Sequence, residues 1–135
     1  MEFLIKIYNA SVVIDSHKIL DNINWEIKKG ENWAILGKNA SGKTTLLSLI
    51  FGYIRPYYGG KVFYFGSPDP IYNIWEIRKR IGFLTFEFER DYRYNENALN
   101  VVLTGFYSSI GLYERPDNLK IEKAKKWLSF MGIST

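Results

Sequence analysis

The sequence predicts an α/β protein with an antiparallel β element at its N-terminus. Two early segments, Phe3–Tyr8 and Ile23–Lys28, alternate apolar and polar residues, as strands with one exposed face do. The run Trp33–Leu36 is apolar throughout, which is typical of a strand buried on both faces of a parallel sheet. A glycine-rich stretch and an apolar segment, Thr44–Phe51, follow it, so the order of strand, loop and helix indicates the α/β class.

The elements of the N-terminal half have clear boundaries. Helix Thr44–Phe51 is expected to stop before Gly52, and the strands are separated by turn signals such as Lys29-Gly30. Further along the chain, the pattern predicts the strand Val62–Phe65, a short helix Trp75–Arg80, the strand Ile81–Thr85, and the helices Glu96–Ser108 and Asn118–Met131.

The last two helices carry apolar residues at helical spacing, which predicts that these residues pack into the core. In the first helix they are Leu99, Val102, Leu103 and Phe106, and in the second they are Ile121, Ala124, Trp127, Leu128 and Met131. No internal repeat or linker divides the chain, so we expect residues 1–135 to belong to one domain.

The composition excludes several classes of site. The chain of 135 residues has no cysteine and a single histidine, which excludes thiol nucleophiles, disulfide scaffolds and multi-histidine metal centres. His17 has no nearby orienting partner in the sequence, so we interpret it as a turn residue rather than a base. The net charge of +4 suits an anionic ligand, but nucleic acid is not the first expectation. The sequence shows no signal peptide or membrane span, so we expect a cytoplasmic protein.

The segment Gly37–Thr44 matches the phosphate-binding pattern G-x-x-x-x-G-K-[ST]. Its glycines let the backbone curl so that N–H groups point inward, and the following helix directs its free N–H groups and positive dipole end at the same anion. Lys43 reaches the β- and γ-phosphates, and the Thr44 hydroxyl can ligate Mg²⁺. The predicted binding set is Gly37, Lys38, Asn39, Ala40, Ser41, Gly42, Lys43, Thr44 and Thr45, with Lys43 as the catalytic residue.

The sequence around this loop resembles the start of an ABC-type ATPase, the nucleotide-binding domain of ATP-binding-cassette proteins. The resemblance covers Ile19–Gly37, the spacing from Gly52 through Pro56 and Gly60 to Gly66, and Arg78–Phe83. Trp33 just before the loop is similar to the branch that includes molybdate-type and related stand-alone cassettes. The resemblance implies a P-loop NTPase (RecA-like) core that binds ATP with Mg²⁺ and, in the complete protein, hydrolyses it.

The resemblance also implies parts that are expected after helix Asn118–Met131 but do not occur before Thr135. These are the signature loop, the Walker B aspartate with its catalytic glutamate, and the switch histidine. We therefore expect residues 1–135 to be the N-terminal portion of one nucleotide-binding domain, incomplete at the C-terminus. We expect this chain to bind nucleotide weakly and to hydrolyse almost none; whether it is a piece or a shortened gene stays open.

Three positions depart from the family pattern. The family places a glutamine after the strand at Ile81–Thr85, but the chain contains none, and Phe86 stands there. Glu87 could supply an oxygen instead, and the alternative is that it is a solvated surface charge. Ala40 occupies a position where glycine is common, which costs about 1 kcal/mol if φ is positive there.

The adenine-stacking aromatic of the family falls at Val13 or Ile14, and neither has a π-face, so we expect weaker base binding. Tyr8 is the nearest upstream aromatic, and its place in a predicted strand suggests packing.

Family resemblance implies two kinds of partner: a second cassette domain, as homo- or heterodimer, and a membrane permease subunit on the inner face of the membrane. The aromatic and charged segment 86–95 would face a partner, or it is a solvated loop. Transport is the preferred role; the alternatives are a soluble ABC ATPase in translation or repair and a nucleotide-binding scaffold without turnover. We also expect self-association, because half of a cassette leaves sheet edges and apolar helix faces uncovered.

Overall fold

The computed structural model contains a three-stranded antiparallel sheet with the order β2-β1-β3. The structure describes residues 3–67, 70, 73–84, 96–109 and 111–133. In chain order the elements are β1 (Phe3–Ile14), β2 (His17–Lys28), α1 (Lys43–Ile50), β3 (Lys61–Tyr64), α2 (Ile74–Arg78), α3 (Ala98–Thr104) and α4 (Asn118–Phe130). The chain divides into two compact units, Met1–Ile77 and Arg78–Thr135.

Strands β1 and β2 form a hairpin with a two-residue turn at Asp15 and Ser16. Their φ values are 47° and 65°, as a type I′ turn requires, and this turn matches the twist of the two strands. Ile14 pairs with His17 across the turn. His17 therefore begins β2 directly beside the turn, and its Nδ1 lies 2.8 Å from the Asp15 carbonyl oxygen.

Both hairpin strands are longer than predicted, because two asparagines accommodate irregularities in their pairing. Asn9 and Asn22 have positive φ, 46° and 49°, and the register shifts between Ile7 and Ala10. The Asn9 N–H donates to Asn24 Oδ1 at 3.0 Å, and the Asn22 N–H donates to Ser11 Oγ at 2.9 Å. The Asn24 and Ser11 side chains thus accept hydrogen bonds from backbone N–H groups where the strand pairing is irregular, and both strands continue to the turn.

The core of the first unit lies between one face of this sheet and α1. The predicted alternation is confirmed, and the N-terminal part of β1 turns Ile7 inward; after the irregular pairing the buried positions become Ala10 and Val12. The other buried apolar residues of this unit are Leu20, Leu49, Ile50, Phe51, Val62, Tyr64 and Ile77. The predicted helix and the strand around Val62 are confirmed, each beginning and ending one residue earlier than predicted.

The predicted strand at Trp33–Leu36 is wrong for this structure. These residues are in no strand, and the side chains of Trp33 and Leu36 are 56% and 91% exposed. A strand of a parallel sheet is held by hydrogen bonds to its neighbours, and no strand of the described residues pairs with this run. The same holds for Ile81–Thr85: residues 81–84 form no strand, Leu84 is 95% exposed, and Thr85 lies outside the described residues.

In the second unit, helices α3 and α4 contact each other, and each begins with a side-chain cap. The Asn97 side chain accepts the Asn100 N–H at 2.8 Å, and Asp117 accepts the Lys120 N–H at 2.8 Å. That backbone N–H, with a smaller contribution from the Lys120 ammonium, holds the pKa of Asp117 below its usual value. Leu103 is buried on α3, and Ala124 and Leu128 are buried on α4.

Both helices bury less than the sequence predicts. Helix α3 ends at Thr104 rather than Ser108, so Phe106 lies beyond its end and is 36% exposed. Trp127 and Met131, predicted to be core, are 61% and 70% exposed. Among the described residues, helix α4 packs against α3. Helix α4 therefore buries fewer of its apolar side chains than the helical spacing of those residues predicts. The short helix at Ile74–Arg78 confirms the predicted Trp75–Arg80 helix with shifted ends.

Across the described part of the chain, no helix combines the length and apolarity that crossing a membrane requires.

Candidate functional site: a phosphate-binding loop

The segment that leads into the loop is anchored to the end of β2. After the turn at Gly30, the Glu31 carboxylate accepts the Lys28 N–H at 2.9 Å and the Trp33 Nε1–H at 3.1 Å. The Lys28 N–H is the main reason that the pKa of Glu31 lies below its usual value, and Trp33 adds to the effect. The Trp33 ring also meets Trp25 of β2 edge to face, with 5.3 Å between centroids. These contacts set where the chain leaves the sheet.

The loop itself, residues 37–42, curls back on itself. The Ser41 N–H donates to the Lys38 carbonyl at 3.2 Å. A Cβ on Gly37 would lie 2.6 Å from Ser41 Oγ and 3.4 Å from Ser41 Cβ, so a side chain there would require the Ser41 hydroxyl to move. Gly42 has a φ of 89°, and a Cβ there would lie 3.1 Å from Leu20 Cδ2. Gly42 therefore has both a positive φ and a close contact with β2 that favour glycine, and this contact places the loop against β2.

Helix α1 begins at Lys43, with Gly42 as its N-cap. The first helical hydrogen bond runs from the Leu46 N–H to the Gly42 carbonyl at 2.8 Å, and no side chain caps the N-terminus. Helix geometry gives the N–H groups of Lys43, Thr44 and Thr45 no carbonyl within the helix four residues earlier. The first turn contains no acidic residue. The free N–H groups at the start of α1 and the positive end of its dipole therefore lie at the end of the helix where the loop joins it.

The Lys43 ammonium lies inside the curl of the loop. Its Nζ donates to the carbonyls of Gly37 at 2.8 Å and Lys38 at 2.6 Å, and lies 3.4 Å from Ser41 Oγ. A cation is thus held at the centre of a ring of backbone groups. The side chains of Lys38, Asn39 and Thr44 are exposed around it.

The residues of the loop fit a magnesium-bound phosphate chain. Lys43 supplies a positive charge, the backbone supplies N–H donors, and the exposed Thr44 supplies one hydroxyl oxygen. In the described ranges no group of three or more His, Cys, Asp or Glu residues could hold a metal ion. Among the described residues of the loop, the Thr44 hydroxyl is a side-chain oxygen that could serve as a ligand for a divalent cation.

The other predicted site positions lie elsewhere or are not described. Val13 and Ile14 end strand β1 with 41% and 40% of their surface exposed, and offer no aromatic face. Tyr8, predicted to pack, is half exposed on β1. Phe86, Glu87 and the rest of segment 86–95 lie outside the described residues.

The packing of the loop against β2 was not predicted from the sequence. The side chain of Leu20, together with the Ile19 carbonyl and side chain, lies within 3.1–3.4 Å of where a Cβ on Gly42 would be. The signal was present, because Ile19 and Leu20 open the stretch that leads into the loop. Their contact with Gly42, however, depends on how β2 and α1 are placed in three dimensions.

The chain is similar to known proteins over most of its length. The family model described as ABC transporter matches residues 20–135. The chain is similar to the ABC transporter ATP-binding protein ModF of Escherichia coli, with 35% identity over 93% of this chain and 26% of ModF. It is also similar to the manganese transport system ATP-binding protein MntB of Bacillus subtilis, with 30% identity over 97% of this chain and 50% of MntB.

A solved structure gives the same result for the fold. The fold is similar to that of CbiO1 from Clostridium perfringens, which is described as part of the ABC transporter complex CbiONQ. The match covers 99% of this chain and 52% of the CbiO1 chain, with a TM-score of 0.71 and 23% sequence identity. The chain thus spans about a quarter to a half of the length of these relatives. With the family model covering most of its residues and the P-loop NTPase fold shared, the chain belongs to the ABC transporter ATP-binding family.

Proposed function

We propose that residues 37–45 bind the phosphates of Mg-ATP, and that the chain forms the N-terminal portion, over residues 1–135, of a single nucleotide-binding domain. The observation that carries the proposal is the position of the Lys43 ammonium inside the curled loop, directly before an uncapped helix N-terminus. A triphosphate needs several donors and a cation at one place, and these groups converge here.

Each group has a separate task in this proposal. The N–H groups of residues 43–45 would hold the β-phosphate, and Lys43 would exchange its loop carbonyls for β- and γ-phosphate oxygens. Thr44 would give its hydroxyl to the metal. When bound, Mg²⁺ would supply positive charge that neutralises the phosphates. Lys43 is the catalytic residue in this proposal, because its charge would stabilise the phosphoryl group as it leaves.

Hydrolysis requires a group that orients the attacking water, and no loop residue is placed to do so. We therefore propose that the complete protein is an ATPase, while this chain binds nucleotide and turns over almost none. Calorimetric titration with Mg-ATP, and phosphate release measured in parallel, test the two statements separately. A turnover rate equal to that of a complete cassette would contradict the second.

Replacing Lys43 with alanine is expected to weaken Mg-ATP binding by at least about tenfold, because a charge-assisted contact to phosphate is lost. The fold should be unchanged, since the Lys43 ammonium bonds only within the loop and not to the core. Lys126→Ala, an exposed lysine on α4, is the matched control and should bind as the parent does. Equal ATP binding by Lys43→Ala and the parent would place the phosphate site elsewhere.

The Thr44→Ala substitution tests metal binding separately from phosphate binding. This variant is expected to lose most of the gain in affinity that Mg²⁺ gives, while binding of metal-free ATP stays near the parent value. Titration with and without Mg²⁺ measures that gain. An unchanged magnesium effect would show that the Thr44 hydroxyl is not a ligand.

We propose transport as the role of the whole protein, with a second cassette domain and a membrane permease as partners at the inner face of the membrane. The support is that MntB is named as part of a manganese transport system and CbiO1 as part of a transporter complex. A soluble ABC ATPase or a scaffold without turnover remains the alternative. Co-purification of the full-length protein with a membrane-spanning subunit would support transport, and a purely soluble assembly would contradict it.

A further inference from the structure

A cavity of about 210 Å³ lies in the first unit, bounded by the C-terminal end of α1, by β3 and by the chain on either side of these elements. No residue of the loop 37–42 lines it, so it is distinct from the phosphate site. Its walls are largely apolar, and the side chains that form them are Leu49, Ile54, Pro56, Val62, Pro70 and Ile74.

Two cations, Arg55 and Lys61, complete the lining. Both side chains are exposed, and in the described residues neither forms an ion pair or a hydrogen bond. Among the described residues the lining contains no aspartate or glutamate, and the sequence from Tyr53 to Lys61 has none either. Within the part of the chain that the structure describes, no acidic group at the cavity neutralises this positive charge.

The remaining polar group at the wall is already used. The Tyr64 hydroxyl donates to the Ile50 carbonyl at 2.7 Å inside the core. Burial raises the pKa of Tyr64 to about 12, so the phenol is neutral. Recognition of a polar ligand group therefore falls to Arg55 and Lys61.

We propose that this cavity binds a small aromatic carboxylate, with the ring against the apolar walls and the carboxylate paired with Arg55 and Lys61. The volume suits the ring, because apolar cavities of about 150 Å³ hold benzene. The charge suits the carboxylate, because guanidinium and ammonium groups both bind it with charge-assisted hydrogen bonds. Inorganic phosphate would leave the apolar walls unused, and a neutral ring would leave both cations unused.

The test is calorimetric titration of the full chain with phenylacetate, using acetate, phenylacetamide and inorganic phosphate as comparisons. Phenylacetate is expected to bind at least about tenfold more tightly than each of the other three, since it alone has both the ring and the carboxylate. Arg55→Gln and Lys61→Gln should each weaken phenylacetate binding by about fivefold, because each removes one charge-assisted contact from an exposed side chain.

Two matched variants keep this inference separate from the ATP site. Lys126→Gln removes an exposed lysine that does not line the cavity, and Lys43→Ala removes the phosphate-loop cation; both should bind phenylacetate as the parent does. Equal affinity for phenylacetate and phenylacetamide would overturn the proposal, as would binding that is unaffected by Arg55→Gln and Lys61→Gln. Absence of phenylacetate binding up to about 10 mM would overturn it as well, whatever the result for ATP.

Discussion

Ala40 carries local backbone strain within the proposed phosphate-binding loop. Its φ is 61°, a region that alanine adopts at a cost of about 1 kcal/mol. Most of the other non-glycine residues with positive φ are asparagine, aspartate or serine, such as Asn9 and Asp15. Short polar side chains tolerate this conformation better because they bond locally to the backbone. The positive φ on which the predicted cost depends is therefore present at Ala40.

Ala40→Gly is expected to raise the free energy of unfolding by about 1 kcal/mol, because glycine adopts positive φ without strain. Urea denaturation measures the change. Ala34→Gly is the matched control: residue 34 has no positive φ, so the added freedom of the unfolded chain should lower stability by up to about 1 kcal/mol. Destabilisation by both variants would argue against strain at Ala40.

Tyr64 makes the free energy of unfolding depend on pH in the alkaline range. Its pKa is raised from 10.0 to about 12, mainly because burial disfavours the phenolate. The unfolded chain thus loses this proton first as the pH rises past 10, so the stabilising effect is fully present below pH 10 and is lost as pH approaches 12. The loss attributable to Tyr64 should reach roughly 2 kcal/mol.

Tyr64→Phe is expected to lower stability near neutral pH by about 1 kcal/mol, because it removes the hydrogen bond to the Ile50 carbonyl. It should also remove this part of the alkaline loss. Denaturation of parent and variant between about pH 8 and pH 12 isolates the Tyr64 contribution from that of the other tyrosines. Parallel stability curves for the two proteins would contradict the assignment.

At the scale of secondary structure, the β1–β2 hairpin supplies the surface on which the phosphate loop rests. Its turn places Asp15 and Ser16 in the conformations that Asp-Gly adopts most readily. Serine at φ 65° is a weaker choice than glycine. The hairpin therefore has a second turn residue that is not optimal for this conformation.

Ser16→Gly is expected to stabilise the chain by about 0.5–1 kcal/mol, because glycine is preferred at the second position of this turn. Thermal denaturation measures the effect. Ser16→Val should act in the opposite direction, since a β-branched side chain opposes positive φ. If both substitutions shift stability equally, the turn conformation is not what limits the hairpin.

At the scale of the whole molecule, apolar residues that the sequence assigns to interior positions lie exposed. Leu36 and Leu84 belong to predicted strands without partners in the described residues, and Trp127 belongs to a predicted core stripe. The chain spans only part of the length of its relatives. Exposed apolar surface of this kind favours association between chains.

Leu36→Lys is expected to weaken self-association by about tenfold, because it places a charge in the exposed apolar run before the loop. Light scattering over a range of protein concentrations measures the change. Glu114→Lys, which alters charge at an exposed site in the second unit, is the control and should leave association near the parent level. A monomeric parent at all concentrations would contradict the prediction.

Local chemistry was sufficient to predict several features from the sequence alone. Helix α1, the antiparallel strands and the existence of helices α3 and α4 follow from alternation and helical periodicity, which act between residues close in the chain. The family followed from the same residues, and the match over residues 20–135 confirms it.

Only the tertiary structure decided the rest, because it depends on partners distant in sequence. It pairs β1 with β3, seats Gly42 on Leu20, and opens the cavity beside Arg55 and Lys61. It also leaves Trp33–Leu36 outside any strand, since a buried strand exists only where neighbouring strands complete its hydrogen bonds.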